Sequence, residues 1–145
     1  MNKKEIITNL PYQYPFLFVD EILSVGENAI SGTYTYDKNL PFYKGHFKDN
    51  PITPGVILTE TMAQIGLVAL GIFLLKDHKK DNLQMAMTSS EVDFFKAVLP
   101  GEKVVVKSEK QYFRFNKLKC TVQMFNQQEE LVCRGNIAGM IKTNQ

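Results

Sequence analysis

Residues 45–64, GHFKDNPITPGVILTETMAQ, hold the side chains best suited to chemistry. His46 and Glu60 form a natural acid/base pair, because a His titrates near neutrality and burial can raise a Glu into the same range. Glu60 sits about two turns into an otherwise apolar stretch, where a carboxylate is expensive unless it is paired, hydrogen-bonded or neutral. Gln64, at i+4, is placed to share its site. Upstream, Thr53 reads as an N-cap and Pro54 as the first helical residue, where a missing N–H costs nothing. The amides of Gly55 and Val56 then lack helical partners. Such donors, at a residue with no side chain, can hold a carbonyl oxygen or a developing oxyanion. Each feature also suits a plainer role: a capped helix start, a Glu on one wet helix edge, a loop His bonded to backbone.

The elements that must position these residues follow from periodicity. Residues 56–75, VILTETMAQIGLVALGIFLL, predict a helix of about 20 residues, near 30 Å long and buried on most sides. Glu60 and Gln64 interrupt the apolar run, so no membrane span is expected. The residues from Lys76 to Asn82 predict a solvated exit. Before the helix, 16–22 and 29–36 read as strands. Residues 37–54, with Pro41, Gly45, Pro51 and Pro54, read as a long irregular segment packed by Phe42, Tyr43 and Phe47. After the helix, 85–95, 102–115, 118–124 and 131–141 read as strands, with turns at Pro100-Gly101 and 126–130. In the 102–115 strand, Val104 and Val106 fall on one face and Val105, Phe113 and Phe115 on the other. An antiparallel sheet wrapped on one helix is an α+β solution. So apolar a helix also hints at a second subunit.

Composition bounds the rest. The 145 residues fit one domain, 1–145, with a core that needs no staples. A 44% hydrophobic and 22% charged content is ordinary for a globular chain. Seventeen Lys and Arg against fifteen Asp and Glu are too balanced to suggest nucleic-acid binding. The polar, proline-broken start does not read as a secretory signal. Cys120 and Cys133 are too few and too isolated for a disulfide framework or a zinc site, and a reducing cytoplasm is the simplest setting. No metal or cofactor is expected.

The stretch resembles the active-site signature of the FabZ-type 3-hydroxyacyl-[acyl carrier protein] dehydratases, which have the hotdog fold. Four blocks match in order: LPYQYPFLFVD (10–20), PFYKGHFKDNPITPGVILTETMAQ (41–64), VDFFKAVLPG (92–101) and the closing strands. GHF, PGV and E-x-x-A-Q in register are specific together. The resemblance implies dehydration of a carrier-bound 3-hydroxyacyl thioester to the trans-2-enoyl thioester, in fatty-acid or related acyl-chain or polyene synthesis. It implies a homodimer, with possible higher assembly, whose sites take His46 from one subunit and Glu60 from the other. His46 is then the base for the α-proton and Glu60 the acid for the departing 3-hydroxyl. Gly55 N–H polarises the thioester carbonyl, with Val56 and Gln64 beside the substrate.

The chain departs from the family pattern at Tyr12-Gln13, Lys48-Asp49, Thr53, Thr61 and at Met85 and Ala86, where some members carry an aromatic gate. These departures bear on loop conformation, tunnel shape and substrate length. Two rivals share the fold: an acyl thioesterase, with Glu60 activating water, and a non-catalytic acyl-binding partner subunit. An acidic acyl carrier protein is the expected partner. Lys103, Lys107, Lys110, Arg114, Lys117 and Lys119 are candidate docking cations, or simply a solvated strand face.

Overall fold

The computed structural model describes residues 1–78 and 83–143. Of the expected polar exit, Lys79, Lys80, Asp81 and Asn82 lie outside the described residues. Helix α1 (Lys3–Thr8) leads into β1 (Glu21–Val25) and β2 (Ala29–Thr35). A short 3-10 turn (Pro41–Lys44) precedes the long helix α2 (Gly55–Leu74). Four strands follow: β3 (Leu83–Phe94), β4 (Lys103–Arg114), β5 (Lys117–Phe125) and β6 (Leu131–Thr143). They form one six-stranded sheet in the order β1-β2-β4-β5-β6-β3, with every neighbouring pair antiparallel. Because β3 pairs only with β6, it forms an edge of the sheet. This is the expected sheet-on-helix arrangement of the hotdog fold.

Alternation in the central strands explains the wrap. Val104 and Val106 on β4, and Leu118, Cys120, Val122 and Met124 on β5, are all fully buried. They face α2, while Lys107, Glu109 and Thr121 are exposed on the opposite face. A helix that is apolar all round must be covered all round, and residues 61–72 of α2 are buried without exception. Membrane-like length and hydropathy here belong to the core helix. The cover comes from within the chain, so apolarity of α2 does not by itself call for a second subunit. The exposed large apolar groups lie outside residues 61–72, at Val56 on the first turn of α2 and at Phe94, Phe95 and Phe47 among others.

Midway, α2 widens into a π-helical segment at Gln64–Ala69, a feature that often marks functional positions. Gly66 lies in it, pressed against the sheet: a Cβ there would sit 3.0 Å from Ser108 Cβ and 3.0 Å from a Val122 methyl. Ser108 Oγ donates to the Gly66 carbonyl at 2.8 Å, fixing helix to sheet at the same point.

Three expectations need correction. The first strand does not begin at Phe16 but at Glu21. Phe18 and Val19 are buried all the same, because this stretch satisfies its backbone through a side chain of α2 rather than a strand neighbour. Second, an irregularity between Lys110 and Tyr112 shifts the β4 register, so that Phe113 aligns with buried Leu118. Phe113 therefore joins the face of Val104 and Val106. Third, Phe115 leaves the strand altogether, with φ 51° in a tight turn and 92% of its surface exposed. Helix α1 is an addition: Asn2 accepts from the Glu5 amide, and Glu5 returns a bond to the Asn2 amide. That reciprocal cap is readable from the N-x-x-E spacing.

Gly66→Ala overpacks the helix–sheet contact. It should lower stability by about 1–3 kcal/mol and the melting temperature by roughly 3–10 °C. Urea denaturation of the purified variant checks this, and an unchanged midpoint would refute the contact as a tight one.

Candidate active site

The start of α2 carries no side-chain cap. Pro54 occupies the cap position and Gly55 is the first helical residue, so the assignment of Thr53 as N-cap is corrected. Thr53 is engaged elsewhere: its amide donates to the Val98 carbonyl at 2.8 Å, and its hydroxyl pairs with the Tyr43 hydroxyl at 2.5 Å. The chain enters the helix pinned from both sides, while the Gly55 and Val56 amides have no helical acceptor. The ring of Phe94 covers Gly55 so closely that a Cβ would lie 3.3 Å from its edge carbons. A side chain there would have to push the Phe94 ring aside by a few tenths of an ångström. The Val56 side chain points outward, 76% exposed.

One turn further, Glu60 meets Gln64. Gln64 is fully buried, yet all its polar capacity is used in three directions. Its Oε1 accepts from the Phe18 amide at 2.8 Å. Its Nε2 donates to the Phe16 carbonyl at 2.9 Å and to Glu60 Oε2 at 3.0 Å. A backbone N–H can only donate and a carbonyl can only accept, so these partners fix which way the amide points. Gln64 thus pairs with Phe16 and Phe18 as a neighbouring strand would, and its remaining proton holds the carboxyl. Loss of this amide would leave buried partners unpaired, at about 1–3 kcal/mol for each.

Burial pushes the Glu60 carboxyl above its ordinary range, opposed in part by the Gln64 hydrogen bond. The phenol of Tyr12 is pushed up to about 12, by burial first and then by the charge of Glu60. The N-terminal segment therefore walls the carboxyl, a contribution that hydrophobic patterning did not reveal. The available signal was Pro11 and Pro15 just ahead of the apolar run 16–19, which argues against a ladder-paired strand there. At the Thr61 departure, the buried Tyr36 hydroxyl donates to Thr61 Oγ1 at 2.6 Å, and Thr61 donates to the Ile57 carbonyl at 2.9 Å.

His46 is held by a two-point clamp. Its carbonyl accepts from the Ile52 amide at 2.9 Å, and its Nδ1 lies 3.2 Å from the Ile52 carbonyl. A carbonyl cannot donate, so Nδ1 carries the proton in this contact and the neutral ring leaves Nε2 bare, able to accept a proton. Phe47 stacks on the imidazole with ring centroids 4.3 Å apart. The His46 hydrogen bond runs to Ile52, not to Glu60. The structure thus gathers Glu60 and Gln64 directly, sets Gly55 and Val56 on the first turn of the same helix, and holds His46 on the loop before it. A dry carboxyl, a bare imidazole nitrogen and open helix-start amides can move a proton off carbon, move one onto oxygen and stabilise an oxyanion.

The raised Glu60 carboxyl has a consequence for stability. A folded-state value above the ordinary 4.5 stabilises the fold fully at low pH, and this contribution is lost as pH rises through the raised value. Glu60→Gln cannot ionise. Its stability relative to the native chain should therefore climb from about pH 4.5 upward, as native Glu60 is forced to charge. Denaturant unfolding of both proteins across pH checks the sign, and a flat difference would contradict it.

Comparison with known proteins places the chain in a family. The FabA-like domain family matches residues 10–135. A curated relative, the 3-hydroxyacyl-[acyl-carrier-protein] dehydratase FabZ of Caldicellulosiruptor bescii, is 35% identical over 97% of this chain and 99% of its own. The protein of the same name from Rhizobium etli is 39% identical over 94% of this chain and 86% of its own. Among solved structures, the dehydratase heterocomplex ApeI:P of Xenorhabdus doucetiae superposes with a TM-score of 0.80 at 13% identity, covering 96% of this chain and 91% of that one. A hypothetical thioesterase from Streptococcus pneumoniae, solved with coenzyme A, gives 0.63 at 16% identity, covering 86% and 87%. At such identities the structural likenesses speak for the fold alone, whereas the sequence matches run through every residue described above from Gly55 to Gln64, and the chain belongs to the FabA-like domain family alongside the FabZ dehydratases.

Proposed function

We propose that this chain, as one hotdog domain, dehydrates a 3-hydroxyacyl thioester on acyl carrier protein to the trans-2-enoyl thioester, in fatty-acid or related acyl-chain synthesis. The observation that carries this reading is Glu60: a carboxyl that burial pushes above its ordinary range, aimed by the buried amide of Gln64, in a chain whose curated relatives are dehydratases.

The residues divide the work as follows. The thioester carbonyl oxygen accepts a hydrogen bond from Gly55 N–H, beside Val56, which makes the α-proton acidic by stabilising enolate charge. His46 Nε2 takes that proton. The electron pair of the broken C–H bond forms the new double bond, and the C–O bond at carbon 3 breaks. Glu60 supplies a proton to the departing hydroxyl, which leaves as water. Proton return from His46 to Glu60, directly or through solvent, restores both groups. A raised carboxyl suits a proton donor and a bare imidazole nitrogen suits an acceptor. Gln64 acts by positioning Glu60.

Each working site is read as shared by a homodimer, His46 from one subunit serving Glu60 of the other. Support comes from the Ile52 clamp, which leaves His46 unbonded to its own Glu60. It also comes from apolar groups exposed at the helix start, Val56 and Phe94. An acyl carrier protein is the substrate partner. Of the candidate docking cations, Lys107, Arg114, Lys117 and Lys119 lie on the sheet face away from α2. Two buried free thiols, Cys120 pushed up to about 11 and Cys133 to about 12 by burial, are inert and suit a reducing cytoplasm.

Glu60→Gln and His46→Ala should each lower turnover by about 10²–10⁴-fold, with folding retained, when enoyl product is followed by mass on a carrier-bound 3-hydroxyacyl substrate. Wild-type turnover in Glu60→Gln, or release of free thiol instead of enoyl product, would refute the reaction.

Mixing inactive His46→Ala with inactive Glu60→Ala under conditions of subunit exchange should restore activity, because one hybrid site regains both groups. No recovery after exchange is verified would overturn the shared site.

A further inference from the structure

A cavity of about 450 Å³ opens at the end of β2, and neither His46 nor Glu60 lines it. Its polar wall comes from three segments. Asp20 belongs to the N-terminal segment, Tyr34 to β2, and Asp37 and Asn39 to the loop that runs on into the Pro41–Lys44 turn. Tyr14 completes the wall with a ring that is 70% exposed.

Both carboxylates are fixed by backbone rather than by a cation. Asp20 Oδ2 accepts from the Thr35 amide at 2.7 Å, and Asp37 Oδ1 accepts from the Asn39 amide at 2.7 Å. The second oxygen of each stays open. Among the described residues, ion pairs join Lys76 to Glu27 and Lys96 to Glu130, and none reaches Asp20 or Asp37. Two acids thus share one cavity with no cation of the chain bound to either.

Tyr34 supplies a third polar group. Its ring is held edge-on by Phe18 and Tyr36, with centroids 5.5 and 4.9 Å away, and only 7% of its surface is exposed. Among the described residues its hydroxyl has no hydrogen-bond partner, although a buried hydroxyl normally finds one. Burial first, and then Asp20, Tyr43, Asp37 and Tyr14, push the phenol up to about 12. Three of those four neighbours line the cavity. The hydroxyl therefore opens on the cavity as a neutral group with lone pairs to offer.

We infer that this cavity binds a guanidinium group, held by the open oxygens of Asp20 and Asp37 and by the Tyr34 hydroxyl, with the Tyr14 ring able to lie across its face. A guanidinium is planar, carries five N–H donors and no acceptor, and stacks on aromatic rings. Those properties match a wall of acceptors beside a tyrosine. Acceptors already fixed by backbone bonds cost little to order on binding. A metal ion fits less well. No three His, Cys, Asp or Glu side chains gather to hold one among the described residues, and one oxygen of each carboxylate is already spent on an amide. An occupant ties residues 14–20 to the loop that leads to His46, at a point outside the proposed reaction, so the site stands or falls independently of dehydration.

The test is direct binding. Wild type, Asp20→Asn, Asp37→Asn and Tyr34→Phe are titrated by calorimetry with methylguanidinium chloride and with a capped peptide bearing a central arginine. The variants preserve the fold: an asparagine oxygen still accepts from the Thr35 or Asn39 amide, and phenylalanine keeps the ring contacts. Methylguanidinium should bind wild type saturably and shift the amide resonances of Thr35 and Asn39. Each Asp→Asn change should weaken binding by roughly tenfold or more, and Tyr34→Phe by roughly threefold to tenfold. Binding of the peptide as well identifies an arginine of another protein as the occupant, whereas binding of methylguanidinium alone identifies a free solute. Absence of saturable binding to wild type, equal affinity in all three variants, or tighter binding of magnesium chloride than of methylguanidinium would overturn the site.

Discussion

The side-chain amide of Gln64 is the joint on which the rest depends. Every polar atom of this buried group is spoken for, by two backbone groups of the N-terminal segment and by the carboxyl of Glu60. It closes the open side of the core where a strand would otherwise be needed, and in doing so it decides where an ionisable group can exist inside an apolar helix. A carboxylate without such a partner would be costly in that setting. With one, the group keeps a definite orientation. Fold and chemistry share this contact, so neither can be altered at Gln64 without the other.

The region around it follows the same economy. The π-helical segment begins at Gln64 and brings Gly66 hard against β4 and β5, where Ser108 anchors its carbonyl. The start of the helix is held through Thr53 and Tyr43 rather than through a cap. Rigidity is supplied around the open amides instead of on them, which is the arrangement a preorganised oxyanion site requires. His46 is held by Ile52 from two directions, by the Phe42 carbonyl through its amide and by the stacked ring of Phe47.

Much of this was legible in the order of residues. Alternation placed β5 with its buried face correct, the 20-residue apolar run announced α2, and the spacing of Glu60 and Gln64 foretold their contact. What escaped has identifiable causes. Residues 16–20 read as a strand because their side chains are buried, but burial does not say whether backbone partners come from a strand or from an amide. Thr53 looked like a cap because local preference favours it, and a long-range pairing with Tyr43 overrode that preference. Phe113 was put on the wrong face because one irregular residue in β4 inverts the alternation after it. The clamp on His46 is made six residues away within an irregular loop, where no helix or strand period applies.

The cover of α2 has a consequence for how the protein is made. Four of the six strands come after this helix in the chain, and β3 pairs with β6, the last strand. At about 5–20 residues per second, a ribosome needs several seconds to supply β4, β5 and β6 once α2 has emerged. For that interval the nascent chain displays a helix that is apolar around its whole circumference, together with an unpaired strand. Such a segment is a natural client for chaperones that bind hydrophobic sequence during translation, and slowing synthesis after Leu74 would lengthen its exposure.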